Sequence, residues 1–323
     1  MNILITGVAG FIGSKLCEEF LKNKKNKVYG IDNINSYYSV KLKKLRLQKL
    51  KLYKNFVFLK FDLKKKEKFR TIKKIKFDLV YHFAAQAGVR FTLSEPKKYF
   101  DDNFIAFLNI LDFIKENKVK KFFFASSSSV YGDQKKYPLS EKNELNEKNF
   151  YGFSKKMNET IALVFSKIYK TKMIGLRFFT VFGEWGRPDM LIFKYLKKNL
   201  DKKKFILNEA GSHYRDFTYI DDVIKILIKL SKTKIRNSYE IFNICSNKPI
   251  KVKKVIDLIN SKQINFKFIS RSSKYLKKIE VKITHGDNNK IKRYIKNHKF
   301  EKFKIALFKT IKWYLDNNIH KLT

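Results

Sequence analysis

The chain has 323 residues, 44% of them hydrophobic, and a formal net charge of +43 at pH 7. This length and apolar content are typical of two closely associated lobes that share a sizeable core. The two cysteines, Cys17 and Cys245, lie far apart and lack metal-ligand spacing, which argues against a disulfide scaffold and a metal site. We expect both to be reduced core residues.

The positive charge is the one feature of the composition that suggests nucleic-acid binding. The excess is almost entirely lysine, spread along the whole chain rather than gathered in one basic block. We therefore interpret it as a lysine bias at solvated surface positions and predict no nucleic-acid partner. The chain begins directly in a predicted strand, and no run is long enough to span a membrane. A cytoplasmic protein without membrane association is expected.

The first predicted element is a strand over residues 2–6, which runs into a glycine turn and then into a helical pattern. One glycine allows the turn, one lets the backbone approach a pyrophosphate, and one lets the helix pack closely on the strand. Free N–H groups at the helix start would face the phosphates. The predicted dinucleotide contacts here are Gly7, Gly10, Phe11, Ile12 and Gly13.

The second predicted strand, residues 28–31, ends in Asp32, about 20 residues after the glycines. A carboxylate at this place accepts the ribose 2′-OH and repels a 2′-phosphate. The expected cofactor is therefore NAD rather than NADP, with Asn33 beside the same ribose.

Three further strands continue the alternation of strand and helix. The strand over 56–61 leads to Asp62 and Leu63, which we place beside the adenine. The strand over 77–82 leads to Phe83, Ala84 and Ala85, where small side chains let a dinucleotide lie against the backbone. A helix is predicted over about 96–118, and a fifth strand over 121–125. This alternation predicts an α/β fold with a Rossmann-type doubly wound parallel sheet.

Two polar groups follow the fifth strand. Ser126 to Ser129 come directly after it, and ligands of open α/β sheets bind outside the carboxyl ends of the strands. Tyr151 and Lys155 open a later helix, where positions i and i+4 share a face. Bringing a tyrosine pKa from near 10 toward neutrality needs roughly 4 kcal/mol. A cation at about 4 Å in an effective dielectric of about 20 supplies energy of that order.

Together these residues resemble the extended short-chain dehydrogenases/reductases that act on nucleotide sugars, over essentially the whole chain. Within that family, six segments in order are similar to UDP-glucuronate 4-epimerases. The segments are 31–38, 84–90, 125–132, 176–180, 185–190 and 215–222.

The resemblance implies a role for each motif. Tyr151 would be the general base and acid, Lys155 would orient it and lower its pKa, and Ser127 would bond the reacting C4 oxygen. The resemblance leaves open whether Ser128 or Ser129 also contacts the substrate next to Ser127. Implied cofactor contacts are Asn103, Ser126, Tyr151, Lys155 and Phe178. Implied substrate contacts are Arg187 and Arg215 on the UDP phosphates, Met190 and Phe193 near the uracil, and Arg90, Thr180 and the serine loop on a C6 carboxylate.

The implied activity is 4-epimerisation of a UDP-sugar, UDP-glucuronate above all, through transient C4 oxidation and return of hydride to the opposite face. An epimerase for UDP-GlcNAc or UDP-glucose is the alternative enzyme, and Arg90 would then be idle. A non-catalytic NAD-binding module is the alternative of another class. Related dehydratases and uronate decarboxylases carry an acidic residue where this chain has Ser128 or Ser129, so neither reaction is favoured.

The resemblance also implies an organisation for the chain. We expect an NAD-binding domain over 1–180, with return segments about 215–245, and a mainly nucleotide-sugar-binding lobe over 181–323. A homodimer is expected through helices near 96–118 and 151–169, and surface-polysaccharide precursor synthesis is the corresponding pathway hypothesis. The chain departs from the family pattern at Glu184, which we expect to change only a turn. The segment 278–287 departs as well and leaves the substrate contacts of the second lobe open.

Overall fold

The structure, a computed structural model, describes residues 1–89, 95–262 and 268–323. Arg90, predicted to bind the substrate carboxylate, lies outside the described residues. The strands are β1 (Asn2–Thr6), β2 (Lys27–Asp32), β3 (Phe56–Lys60), β4 (Leu79–His82), β5 (Lys121–Ser127), β6 (Lys172–Phe178), β7 (Thr180–Phe182), β8 (Phe205–Asn208), β9 (Tyr214–Tyr219), β10 (Tyr239–Ile244), β11 (Pro249–Lys251) and β12 (Phe268–Arg271).

Seven of these strands form one parallel sheet in the order β10-β6-β5-β4-β1-β2-β3. All neighbouring strands pair in parallel, with Ile3 of β1 opposite Val28 of β2 and Leu79 of β4. The strand order reverses at β1, so the loops after β1 and β4 diverge and leave a crevice at the carboxyl ends of the strands. The predicted doubly wound parallel sheet is confirmed.

Helices cover both faces of this sheet. They are α1 (Phe11–Leu21), α2 (Val40–Lys51), α3 (Pro96–Tyr99), α4 (Ala106–Glu116), α5 (Phe150–Ile168), α6 (Leu191–Leu200), α7 (Ile220–Lys232), α8 (Val252–Asn260), α9 (Lys274–Ile279), α10 (Asn289–Tyr294) and α11 (Phe303–Asp316). Apolar residues of α1, α2 and α7 belong to one buried cluster, and those of α4 and α5 to another. Cys17 and Cys245 are both buried and form no disulfide.

Two elements differ from the predicted ones. The fifth strand continues two residues beyond Ala125, so Ser126 and Ser127 belong to β5 and pair with β6. The predicted helix over 96–118 is divided, because a π-helical turn over Phe100–Ile105 separates α3 from α4. The side chain of Asn103 leaves this turn to bond the backbone of Gln86, a tertiary contact that the sequence pattern does not encode.

The remaining strands form two small sheets beside the crevice. One has the order β11-β9-β7, and the other pairs β12 with β8 in parallel. β10 returns to the main sheet and pairs with β6, so the chain passes between the main sheet and the small sheets more than once. Within the described residues, no helix has the length and apolar content needed to cross a membrane.

Candidate active site

A cavity of about 870 Å³ lies at the carboxyl ends of the parallel strands, between the main sheet and the small sheets. The structure brings most of the predicted site residues to its wall. Those are Gly7, Gly10, Phe11, Ile12, Gly13, Asp32, Asn33, Asp62, Leu63, Phe83, Ala84, Ala85, Ser126, Ser127, Ser128, Ser129, Tyr151, Lys155, Phe178, Thr180, Arg187, Met190 and Arg215.

The turn between β1 and α1 is shaped for close backbone approach. Gly7 has a φ of +72°, and a Cβ there would lie 2.6 Å from the nitrogen of Ala84. The N–H of Gly10 donates to the carbonyl of Gly7 at 2.9 Å, and α1 starts at the next residue, Phe11. Any side chain at Gly7 would fill this turn, and the helix N-terminus points its N–H groups toward the cavity. The turn therefore fits the pyrophosphate of a dinucleotide.

Asp32 stands at the end of β2 beside this turn. Its Oδ2 accepts the N–H of Ala9 at 3.0 Å, and its Oδ1 accepts the N–H of Ile34 at 2.7 Å. Burial raises the pKa of Asp32, while these two bonds and the charges of Lys43 and Arg46 oppose the rise. Each carboxylate oxygen has a second lone-pair direction, so the group can still accept ribose hydroxyls.

Tyr151 and Lys155 open α5 next to Ser127, at the end of β5. Lys155 is 1% exposed, and its Nζ lies 6.0 Å from the centroid of the Tyr151 ring. Loss of water around the ammonium lowers the pKa of Lys155 to about 8. The site thus holds a hydroxyl, a phenol and a buried amine in one corner of the cavity, a set suited to proton transfer.

The pKa of Tyr151 differs from the expectation. Burial raises the pKa of this phenol, while the neighbouring Ser127 hydroxyl and the charge of Arg187 oppose the rise. The sequence predicts that Lys155 lowers this pKa, and in the structure the Lys155 ammonium lies 6.0 Å from the centroid of the phenol ring.

Two of the predicted contacts, Asn103 and Phe193, do not line this cavity, because their side chains bond or pack elsewhere. Asn103 is 1% exposed and lies behind the cavity wall, where it bonds the backbone of Gln86 and the hydroxyl of Ser154. It anchors the loop after β4 to α5. Phe193 is 3% exposed and packs against Trp313 and Tyr314 in the core rather than lining this cavity.

Arg187 enters the cavity with an internal partner. Its Nε donates to Asp189 Oδ1 at 3.0 Å, Nη2 donates to Oδ2, and the hydroxyl of Tyr37 donates to the same Oδ2 at 3.2 Å. Burial raises the pKa of Asp189, but Arg187 more than offsets it and the pKa is lowered overall. The Arg187 side chain is 21% exposed, so an anion in the cavity can reach it.

Arg177, which belongs to the family-like segment 176–180, supports the site from behind. It forms a two-point ion pair with Glu159, with Nε to Oε1 at 2.9 Å and Nη2 to Oε2 at 2.7 Å, and both side chains are buried. The hydroxyl of Ser126 donates to the same Glu159 Oε1 at 2.5 Å. Ser126 thus connects the cavity wall to a buried ion pair.

Sequence reasoning missed several residues at the cavity. Lys43 and Glu280 line it, and Arg46 lies directly behind the glycine turn. The sequence does hint at Lys43 and Arg46, because both charged residues fall on the otherwise apolar face of α2. That face comprises Leu42, Lys43, Arg46, Leu47 and Leu50.

Comparisons with known proteins agree with this geometry. The model of the NAD dependent epimerase/dehydratase family matches residues 3–245. The chain is 35% identical to a UDP-glucuronate 4-epimerase of Thermodesulfobacterium geofontis, over 97% of this chain and 96% of that protein. It superposes on the UDP-glucuronic acid 4-epimerase of Bacillus cereus in complex with UDP-glucuronic acid and NAD, with a TM-score of 0.90, 29% identity and coverage of 98% and 100%. A UDP-N-acetylglucosamine 4-epimerase of Methanobrevibacter ruminantium gives a TM-score of 0.86 at 25% identity, with 98% of each chain covered.

Proposed function

Because the chain belongs to the NAD dependent epimerase/dehydratase family, we propose that it is an NAD-dependent 4-epimerase of a UDP-sugar, with UDP-glucuronate as its substrate. One observation carries the choice of sugar. The hydroxyl groups of Ser128, Ser129 and Thr180 line the same cavity as Tyr151. Hydroxyl donors there suit a sugar with a carboxylate at C6, close to the reacting C4.

The proposed roles follow from the geometry. Bound NAD, held by the glycine turn and Asp32, supplies the reversible two-electron acceptor that inversion at C4 requires. Tyr151 takes the proton of the C4 hydroxyl and returns it after the sugar has presented its other face. Ser127 bonds the C4 oxygen throughout, and Lys155 keeps a buried positive charge beneath the phenol. The sugar is oxidised and then reduced, so the enzyme and its cofactor return to their starting states.

A uronate substrate adds a requirement, because a 4-keto sugar with a C6 carboxylate is a β-keto acid that can lose CO2. The carboxylate must be held so that its bond to the ring stays out of line with the carbonyl π system. Ser128, Ser129 and Thr180 line the cavity and offer hydroxyl donors. Arg90 remains the counter-charge that the sequence predicts for this carboxylate, whereas Arg187 is proposed to bind the UDP diphosphate.

The uridine end of the UDP-sugar is proposed to lie against the second lobe, mainly residues 181–323. Arg215 and Met190 line that part of the cavity, as do Asn208 and Glu280. Asn208 Nδ2 donates to Glu280 Oε2 at 3.3 Å, which holds the carboxylate at the wall. Glu280 belongs to the segment that departs from the family pattern, and we propose that it serves the uridine ribose hydroxyls.

The proposal is tested by incubating the purified protein, without added NAD, with UDP-glucuronate, UDP-GlcNAc and UDP-glucose separately, and resolving the products by NMR. UDP-galacturonate is expected as the product of the first incubation, with little turnover of the other two sugars. Conversion only of UDP-GlcNAc or UDP-glucose would reject the uronate assignment while keeping the epimerase. No conversion after NAD is added would favour the non-catalytic NAD-binding module.

A homodimer is proposed from an apolar surface on one side of the molecule. Large apolar side chains face solvent on three neighbouring helical segments, which are the π-helical turn, α4 and α5. They are Phe100, Leu108, Phe150, Phe153, Leu163, Val164 and Ile168, each 37% to 66% exposed. A second copy of the same two-helix face is the proposed occupant, because two such faces pack into a four-helix interface.

We expect the protein to elute with twice its chain mass of 38.5 kDa in size-exclusion chromatography with light scattering. Val164→Glu, at a position 52% exposed, places a carboxylate in the proposed interface of both copies and should yield mainly monomer at micromolar concentration. Ile305→Glu, at a 44% exposed position on α11, is the matched control and should stay dimeric. A monomeric parent protein, or a dimer that survives Val164→Glu, would contradict the proposal.

A further inference from the structure

The buried face of α2 carries a basic residue that the proposed mechanism does not use. Arg46 is 2% exposed, whereas Lys41 and Lys44 on the same helix face solvent. A guanidinium that has lost its water needs several hydrogen-bond acceptors in its plane. For Arg46 these acceptors come from three separate segments of the chain.

On one side, Arg46 holds the dinucleotide turn. Its Nη1 donates to the carbonyl of Ala9 at 2.9 Å and to the hydroxyl of Tyr38 at 2.7 Å. Ala9 lies inside the glycine turn, and its own N–H donates to Asp32 Oδ2 at 3.0 Å. Ala9 is therefore fixed at both its N–H and its carbonyl, by the carboxylate and the guanidinium that flank the cofactor site.

On the other side, Arg46 holds the turn that precedes Arg187. Its Nη2 donates to the carbonyls of Trp185, at 2.5 Å, and Gly186, at 3.0 Å. Trp185 has a φ of +62°, in the left-handed region that residues with side chains rarely adopt. A tight bond to its carbonyl stabilises this backbone, and the position of the Arg187 guanidinium depends on it.

We propose that Arg46 is a positioning residue that couples the two binding sites, so that NAD on the glycine turn prepares Arg187 for the UDP diphosphate. This inference rests on the proposed function, which assigns those ligands to the two sites. Lysine cannot replace Arg46 here, because an ammonium directs three donors from a single nitrogen, whereas the guanidinium reaches both turns from two nitrogens. Coupling between two binding equilibria is reciprocal, so bound UDP also raises the affinity for NAD.

The test compares Arg46→Lys with the unchanged protein and with Arg70→Lys, the same substitution at an exposed position. Three quantities are measured: the dissociation constant of UDP at saturating NAD, the dissociation constant of NAD, and the midpoint of thermal unfolding. Arg46→Lys should raise the dissociation constants of UDP and of NAD about tenfold each, since bonds on both sides of the guanidinium are lost. Arg70→Lys should leave all three quantities unchanged.

A purely structural Arg46 would lower the unfolding midpoint and leave UDP affinity of the folded, NAD-saturated protein unchanged. Both affinities within twofold of the parent protein would therefore overturn the inference. Should circular dichroism show Arg46→Lys unfolded, Tyr38→Phe removes one of the four acceptors and should weaken both ligands roughly two- to fivefold; no weakening would likewise overturn it. A parent protein that binds neither UDP nor NAD would instead reject the proposed function on which the inference rests.

Discussion

Replacing Tyr151 by phenylalanine is expected to lower turnover of the UDP-sugar by roughly a thousandfold or more, within the upper range of what a positioned acid or base contributes. The phenol is the proton-transfer group nearest to Ser127 and Lys155 in the cavity. Phenylalanine keeps the ring and its packing and removes only the hydroxyl. The loss should therefore appear in kcat, with the dissociation constants of UDP and NAD changed by less than about threefold.

Tyr169→Phe is the matched control for this variant. Tyr169 follows α5 directly and its ring lies 4.5 Å from that of Phe165, away from the cavity wall. Its hydroxyl has no role in the proposed reaction, so turnover should stay within twofold of the parent protein. Turnover by Tyr151→Phe within tenfold of the parent would show that another group moves the proton.

The sequence was sufficient to predict the sheet, because strand and helix alternate and the glycine turn fixes which strand comes first. It could not predict where β5 ends. Four consecutive serines have no periodicity, and the pairing of Ser126 and Ser127 with β6 is set by the neighbouring strand. Likewise, the π-helical turn carries Asn103, whose hydrogen bonds with the Gln86 backbone form only in the folded chain.

The candidate site was predictable where motifs carry the chemistry and unpredictable where packing decides. Asp32, Ser127, Tyr151 and Lys155 reach one cavity as their motifs indicated. Arg46 could not be assigned, because its bond to the Trp185 carbonyl joins residues 139 positions apart.

Phe193, predicted to lie near the uracil, lies outside the main cavity for a related reason. It follows the motif that carries Arg187, but the orientation of α6 turns its ring into the core. The arginines of the family-like segments also differ in where the fold places them. Arg187 and Arg215 line the cavity, whereas Arg177 pairs with Glu159 behind it.

Lys155→Met is expected to have two opposite effects, a more stable fold and a poorer enzyme. Burial of the ammonium lowers the pKa of Lys155 from its ordinary 10.5 to about 8. A difference of this size means that keeping the charge in the folded protein costs on the order of 3 kcal/mol. Methionine has a similar shape and no charge, so the variant should gain up to that amount in unfolding free energy at pH 7. Without the cation beneath Tyr151, turnover should fall roughly a hundredfold or more.

The pH dependence of the gain identifies its cause. Below about pH 8 both folded and unfolded chains hold the Lys155 proton, so the full cost is present. Between about pH 8 and 10.5 the unfolded chain binds more protons than the folded one. The unfolding free energy of the parent protein therefore rises with pH over this range, until the buried charge of Lys155 no longer reduces it. The advantage of Lys155→Met over the parent, measured by denaturant unfolding, should therefore be largest at pH 7 and clearly smaller at about pH 9.5.

Lys156→Met is the control on the same helix. Lys156 is 38% exposed and pairs with Glu147 at 3.0 Å, so its loss should cost at most about 1 kcal/mol and leave turnover intact. A Lys155→Met variant that is less stable than the parent at pH 7 would show that the ammonium has favourable partners in the fold. A stabilised variant with unchanged turnover would separate the buried charge from catalysis and leave Arg187 as the cation that serves Tyr151.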